Sequence, residues 1–269
     1  MAVVNALDSA VGLFDLVQHK FSKIGLAQTG GLQAPLGLSV DADGNWFVAD
    51  GQTGFIVVFN AQGQRLRRIG GPQWFARLTN VTVDPHRSRV YGLDQGERQS
   101  RVRVFNSVDG RHLFDFGGPG DGPGQFNLPQ DLAVGKAGRL YVVDSGNYRV
   151  QMFDPAGKFV GSFGEAGKRP GQFGRPKEIA VDAAGRVYVV DASHGNIQVF
   201  DADGGYLYFI GTRGDQGAAA TYMLPTGIAI DVDGRLYVAD QGYRKFDIYR
   251  PLPDSGAGSR PATAAAISN

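Results

Sequence analysis

Leu140-Tyr141-Val142-Val143-Asp144, then Arg149-Val150-Gln151-Met152-Phe153, is the stretch that decides the fold. A β-rich run ends on an acidic residue, and an aromatic follows nine residues later. The same spacing recurs in Phe47-Val48-Ala49-Asp50 with Phe59, Tyr188-Val189-Val190-Asp191 with Phe200, and Tyr237-Val238-Ala239-Asp240 with Tyr249. Tyr91-Gly92-Leu93-Asp94 with Phe105 is two residues longer, and Ala2-Val3-Val4-Asn5 with Phe14 fits at the start of the chain. Residues 1–25 align without a gap on residues 187–211, with Asn5 on Asp191, Phe14 on Phe200 and Ile24 on Ile210.

The marker at the end of the run therefore occurs six times, at Asn5, Asp50, Asp94, Asp144, Asp191 and Asp240, at intervals of 45, 44, 50, 47 and 49 residues. Around Asp144 each period divides into four short strands. Strand a is Asp131–Val134, strand b Leu140–Val143, strand c Arg149–Phe153 and strand d Phe159–Phe163, separated by Gly- and Asp-rich turns. Four short antiparallel strands per period in the forties predict the blades of a β-propeller. No stretch carries a helical period. Strands b and c occur six times, but the first blade lacks a strand a and the last lacks a strand d. We therefore expect an all-β, six-bladed propeller with incomplete end blades, in one domain over 1–250. The tail from Pro251 is expected to be mostly disordered. Its one β-compatible run, Ala262–Ile267, is alanine-rich and a poor strand.

Composition narrows the function classes. Of 269 residues, 42% are hydrophobic, enough for a sizeable core, and the 40 glycines recur with the turns. With no cysteine, disulfides, thiolate metal sites and cysteine nucleophiles are excluded. Lys plus Arg number 27 against 26 Asp plus Glu, which argues against a strong nucleic-acid footprint. No apolar run approaches the roughly 20 residues that span a bilayer.

Leu128-Pro129-x-x-Leu132-Ala133-Val134, Gly138-Arg139-Leu140-Tyr141-Val142-Val143-Asp144 and Asn147-Tyr148-Arg149-Val150-Gln151-Met152-Phe153-Asp154 resemble NHL repeats. The resemblance runs nearly to Arg250. More narrowly, the chain is similar to bacterial six-bladed NHL proteins, some of them exported lipoproteins associated with multihaem cytochromes or other envelope redox systems. That resemblance implies a protein partner, no cofactor and an N-terminus shortened inside the first blade. A missing export segment would place the protein outside the cytoplasm.

The markers invite reading as a ring of metal ligands. A carboxylate at a strand end more simply accepts hydrogen bonds from the amides of the turn that follows. Asp41, Asp84, Asp182 and Asp231, each before an a–b turn, have the same role. In Gly161–Lys168 five residues separate Gly161 from Gly167, one too many for a phosphate loop, and Arg169 stands where Ser or Thr should. His19, His86, His112 and His194 fall at different places in the blade, so no three-ligand zinc site is expected, which counts against the propeller lyase that cleaves peptidyl hydroxyglycine. Arg65, Arg67 and Arg68 lie on an outer strand, where charge protects a sheet edge; RNA binding through them is a minor alternative. The Asn80-Val81-Thr82 sequon opens an inner strand and should be inaccessible.

The informative variation is at the start of strand a, where NHL repeats usually place glycine. Here the residues are Gly37, Asn80, Asp131, Glu178 and Gly227, with Gln130 and Lys177 as neighbours. These put polar groups near the mouth of the expected channel. The b–c loops add Tyr148, Arg149, His194, Asn196, Tyr243 and Arg244 on the same face. Aromatic and arginine groups on rigid loops are typical anchors for a partner. The leading expectation is a non-catalytic binding module. The alternative is a hydrolase or lyase like gluconolactonase-type propellers, with Asp131, Glu178 and Asn80 at a hard cation.

Overall fold

The computed structural model describes residues 2–5, 8–15, 18–25, 31–96, 99–214, 217–251 and 266–267. The chain divides into two compact units, Met1–Gln130 and Asp131–Asn269. Both are built from antiparallel meanders.

The first unit opens with a three-stranded sheet, β1 (Ala2–Asn5), β2 (Ala10–Asp15) and β3 (Lys20–Ile24). Two four-stranded sheets follow. One is β4 (Pro35–Val40), β5 (Trp46–Asp50), β6 (Phe55–Phe59) and β7 (Arg65–Gly70). The next is β8 (Leu78–Asp84), β9 (Arg89–Asp94), β10 (Arg101–Asn106) and β11 (His112–Gly117). In the second unit come β12 (Pro129–Val134), which starts at the boundary, β13 (Leu140–Asp144), β14 (Arg149–Phe153) and β15 (Phe159–Phe163). Then follow β16 (Pro176–Val181), β17 (Val187–Asp191), β18 (Asn196–Phe200) and β19 (Tyr206–Ile210). A short parallel pair, β20 (Thr212–Arg213) and β21 (Thr221–Tyr222), leads to β22 (Pro225–Ile230), β23 (Leu236–Asp240), β24 (Lys245–Tyr249) and β25 (Ala266–Ile267). Among the described residues there are thus five four-stranded sheets and one of three strands. Among the described residues, no helix is long and apolar enough to cross a membrane.

The gapless internal match holds in register up to a shift between Val199 and Phe200. Val11 pairs with Ile24 as Ile197 pairs with Ile210. The tail differs from expectation. Ile267 lies opposite Ile248 and Ala266 opposite Tyr249, so two residues of the alanine-rich run supply a fourth strand. The waiting edge of β24 offers ladder partners, and that context outweighs alanine's poor intrinsic preference. Residues 252–265 lie outside the described residues.

Strand b reads as a continuous apolar run because both of its faces are buried. Val187 and Val189 pack with Tyr141, Val143, Phe163 and Phe173, whereas Tyr188 and Val190 pack with Tyr222, Leu236 and Val238. The first unit repeats this, with Phe47 and Ala49 in one cluster and Val48 in another. The loop from strand d to the next strand a buries an aromatic each time: Phe75, Phe126, Phe173 and Tyr222 are all buried, and Phe75, Phe173 and Tyr222 belong to such clusters. Gly164 makes room for one of them. Its φ is +90°, and a Cβ there would stand 2.3 Å from the Phe173 ring.

Gly37 is required by a close approach rather than by its φ. A Cβ on Gly37 would lie 2.1 Å from Asn80 Oδ1 and 2.9 Å from Asn80 Cα, on the neighbouring strand a. Gly37→Ala should therefore destabilise the first unit by about 1–3 kcal/mol. Asn80→Gly in the same chain should recover most of that loss in a thermal double-mutant cycle. Additive losses would refute the contact.

Candidate partner-binding face

The acidic markers do more than close their own turns. Asp191, fully buried, accepts from the amides of Ser193 (2.9 Å) and His194 (3.1 Å) in the b–c turn that follows. It also accepts from Gly174 (2.6 Å) and Arg175 (3.0 Å) in the loop that precedes strand a. Asp240 repeats this with Tyr243, Met223 and Leu224, Asp50 with Thr53, Gln33 and Ala34, and Asp94 with Gly96, Ala76 and Arg77. In each of these sheets one carboxylate therefore fixes both loop types at the same end. Asn5 stands where side chains are not described. Asp41, Asp182 and Asp231 hold a–b turns as expected, each accepting from the amide four residues on.

Most of the candidates prove to be engaged within the protein. Arg149 Nε donates to Asp144 Oδ2 at 2.9 Å, and His194 Nδ1 lies 3.0 Å from Asp191 Oδ2. The Tyr243 hydroxyl donates to the Gly214 carbonyl, and Gln130 Nε2 to the Leu128 carbonyl. Asn196 lies half-buried, with Oδ1 enclosed and without a hydrogen-bond partner. Arg149 and His194, expected as partner contacts, are thus engaged as braces: the Arg149 guanidinium pairs with buried Asp144, and the His194 ring is held by buried Asp191. Asn80 is buried against Gly37, and its Oδ1 accepts from the Val81 amide at 2.7 Å.

Asp131 and Glu178 do meet, through a hydrogen bond between their carboxyl groups. Asp131 Oδ1 accepts from the Leu132 amide at 2.7 Å, and Oδ2 from the Ile179 amide at 2.8 Å, so the side chain ties β12 to β16. Burial pushes Asp131 up to about 6, against the lowering effect of these amides and of Glu178. Burial, and then the Asp131 charge, hold Glu178 well above the usual carboxylate range. Lys177 beside them is pushed down, by burial and then by the Arg175 charge. Such a pair shares a proton. Among the described residues, no three His, Cys, Asp or Glu lie together as a metal site would need.

Two candidates point outward. Tyr148 and Arg244 are exposed, and both have left-handed backbone, with φ of 55° and 53°. Each is the fourth residue after its marker. Gly54 (φ 70°) and Gly195 (φ 64°) fill that place in two other sheets. The turn wants glycine there, and these two loops accept the strain of a large side chain. Exposed Arg175 and Met223 lie on the adjoining d–a loops of the same unit and were not foreseen. An apolar Met two residues before a strand-opening proline was the available signal. The basic cluster is structural at two points: Arg67 donates to the Ser107 carbonyl, and Arg68 lies over the Phe55 ring.

The family described as NHL repeat matches residues 126–153, and the one described as 6-bladed beta-propeller matches residues 183–250. Mouse (Mus musculus) peptidyl-glycine alpha-amidating monooxygenase is 32% identical over 136 residues, covering 44% of this chain and 13% of that protein. Human (Homo sapiens) NHL repeat-containing protein 3 is 36% identical over 74 residues, covering 27% of this chain and 21% of that protein. The chain thus matches only a small part of these relatives. The crystal structure of virginiamycin B lyase from Staphylococcus aureus superposes with a TM-score of 0.61 at 14% identity, covering 87% of this chain and 69% of that one. The fold is that of an all-β propeller with NHL repeats. His194 here is bound to Asp191, and His112 stacks on Trp74.

Proposed function

We propose that this propeller is a binding module whose b–c and d–a loops in Asp131–Asn269 engage a protein partner, with Tyr148 and Arg244 as anchors. The observation that carries this reading is the left-handed backbone under both exposed side chains, at a place where glycine serves elsewhere in the chain. Strain kept at the surface without a packing return is most simply kept for binding. Tyr and Arg are the residue types over-represented among interface hot spots. Asp144 and Asp240 lock the two loops, so little loop entropy is lost on binding. A multihaem cytochrome or another envelope component is the partner implied by the family resemblance.

The test uses an inversion of sign. Tyr148→Gly and Arg244→Gly should each leave the melting temperature unchanged or raise stability by up to about 1 kcal/mol, because glycine relieves the left-handed strain. Each should weaken partner binding about tenfold or more in cross-linked capture or titration. A partner held equally well by both variants would exclude this face.

A further inference from the structure

Each meander that ends in a strand d leaves one sheet edge with unpaired backbone groups, and such edges are ordinarily blunted by charge or by weak strand formers. Of the strands d from β3 to β19, four follow that rule. β3 carries Lys20 and Lys23, β7 carries Arg65, Arg67 and Arg68, β11 carries His112 and Asp115, and β15 carries Gly161 and Ser162. β19 does not. It reads Tyr206-Leu207-Tyr208-Phe209-Ile210, with no charge, glycine or proline. Leu207 is 45% and Phe209 51% exposed. Its ladder runs to β18 on one side, and among the described residues no strand pairs with the other.

We propose that β19 is a dimerisation edge, where two copies of this chain pair antiparallel about a two-fold axis at Tyr208. A strand paired antiparallel with itself makes a closed, self-complementary interface. In this register Leu207 lies opposite Phe209 of the second copy, and Tyr206 opposite its Ile210. Residues directly opposite share a face, so the two exposed apolar side chains cover each other.

Charge favours the same occupant and orientation. The turn before β19 carries exposed Asp201 and Asp203, and the segment after it carries exposed Arg213. Asp203 and Arg213 each stand five residues from Tyr208, so the antiparallel arrangement brings the acidic end of one copy toward the basic end of the other, twice. Arg139, which binds Asp203 at 2.6 Å, offsets one of the two carboxylates and leaves the turn net acidic. Arg213 donates to the Ser193 carbonyl at 3.1 Å, which fixes the basic end in place. A five-residue edge is smaller than a standard interface of about 1,200–2,000 Å², so the dimer is reversible and concentration-dependent. The apolar part of this surface, Leu207 and Phe209, lies on strand d rather than on the b–c turns that carry Tyr148 and Arg244.

Sedimentation velocity on the full chain tests it. Across a concentration series the mass should rise from 28.7 kDa toward twice that value. Leu207→Lys should move the midpoint at least tenfold higher in concentration while keeping the wild-type circular dichroism spectrum. Arg213→Asp should weaken association as well, and Asp203→Arg with Arg213→Asp should restore it. A chain that stays monomeric throughout, or one whose dimerisation is unchanged by both Leu207→Lys and Arg213→Asp, overturns the proposal.

Discussion

Asp191→Ala should unfold with a midpoint about 10 °C below the wild type. The carboxylate is fully buried and accepts from four backbone amides, of Gly174, Arg175, Ser193 and His194, besides the His194 ring. Alanine leaves all of these donors without their acceptor. A buried unsatisfied group costs about 1–3 kcal/mol, and water can reach those donors that lie nearer the surface, so a total of about 3–4 kcal/mol is expected. In a chain of this size that is on the order of 10 °C. Asp191→Asn keeps one acceptor oxygen but turns an NH2 toward donors, and should lose roughly half as much. Calorimetry of both variants ranks them. The same loss should appear in Asp240→Ala, whose carboxylate joins Met223 and Leu224 to Tyr243. If instead these carboxylates served a bound ligand, either substitution would abolish binding with little change in the melting temperature.

The markers also show where sequence reading reaches and where it stops. Spacing alone located strands b and c, because a run buried on both faces and closed by a carboxylate is a local signal. It gave only half of the marker's role. The amides of Ser193 and His194 follow Asp191 directly and could be foreseen. Those of Gly174 and Arg175 come 17 and 16 residues earlier, and only the folded path of the preceding loop returns them to the carboxylate. The middle of strand c was missed although its signal was present. Gln151 and Gln198 take the polar place in the strand c alternation, where a solvent-facing side chain is expected, and yet are buried. Gln198 holds the preceding loop through the Gly171 amide and the Gln172 carbonyl, at 2.9 and 2.7 Å. Among the site candidates, residue type could not separate Arg149, a brace, from Arg244, which is displayed. The difference lies one position apart in the turn: Arg149 opens strand c beside Asp144, whereas Arg244 occupies the left-handed place that Gly54 and Gly195 mark.

Glu178→Gln should stabilise the protein at pH 8 and flatten its pH dependence. Folded Asp131 sits at about 6 against an ordinary value of 3.8, so the native state holds a proton that the unfolded chain has released. A raised carboxyl contributes stability that is fully present below about pH 4 and is lost as pH rises through 6. The shift sets that loss at about 2–3 kcal/mol, and raised Glu178 extends it toward higher pH. Glutamine removes one of the two acids and still offers Asp131 a neutral donor. The variant therefore escapes the part of the loss that raised Glu178 carries, while Asp131 keeps the Leu132 and Ile179 amides as partners. The variant should match the wild type near pH 4.5 and exceed it by about 1–2 kcal/mol at pH 8 in urea unfolding. Asp131→Asn should behave oppositely, losing about 1–3 kcal/mol even at pH 5, because its NH2 cannot accept from Ile179. Other titrating groups are common to wild type and Glu178→Gln, so the difference between their curves isolates the pair; Asp231, held low by the Arg235 amide and the Tyr237 hydroxyl despite its desolvation, is one such group. Parallel curves for the two proteins would show that no proton is shared. A divalent cation seated on the pair predicts another pattern: added calcium would raise the wild-type melting temperature, and Glu178→Gln would abolish that rise.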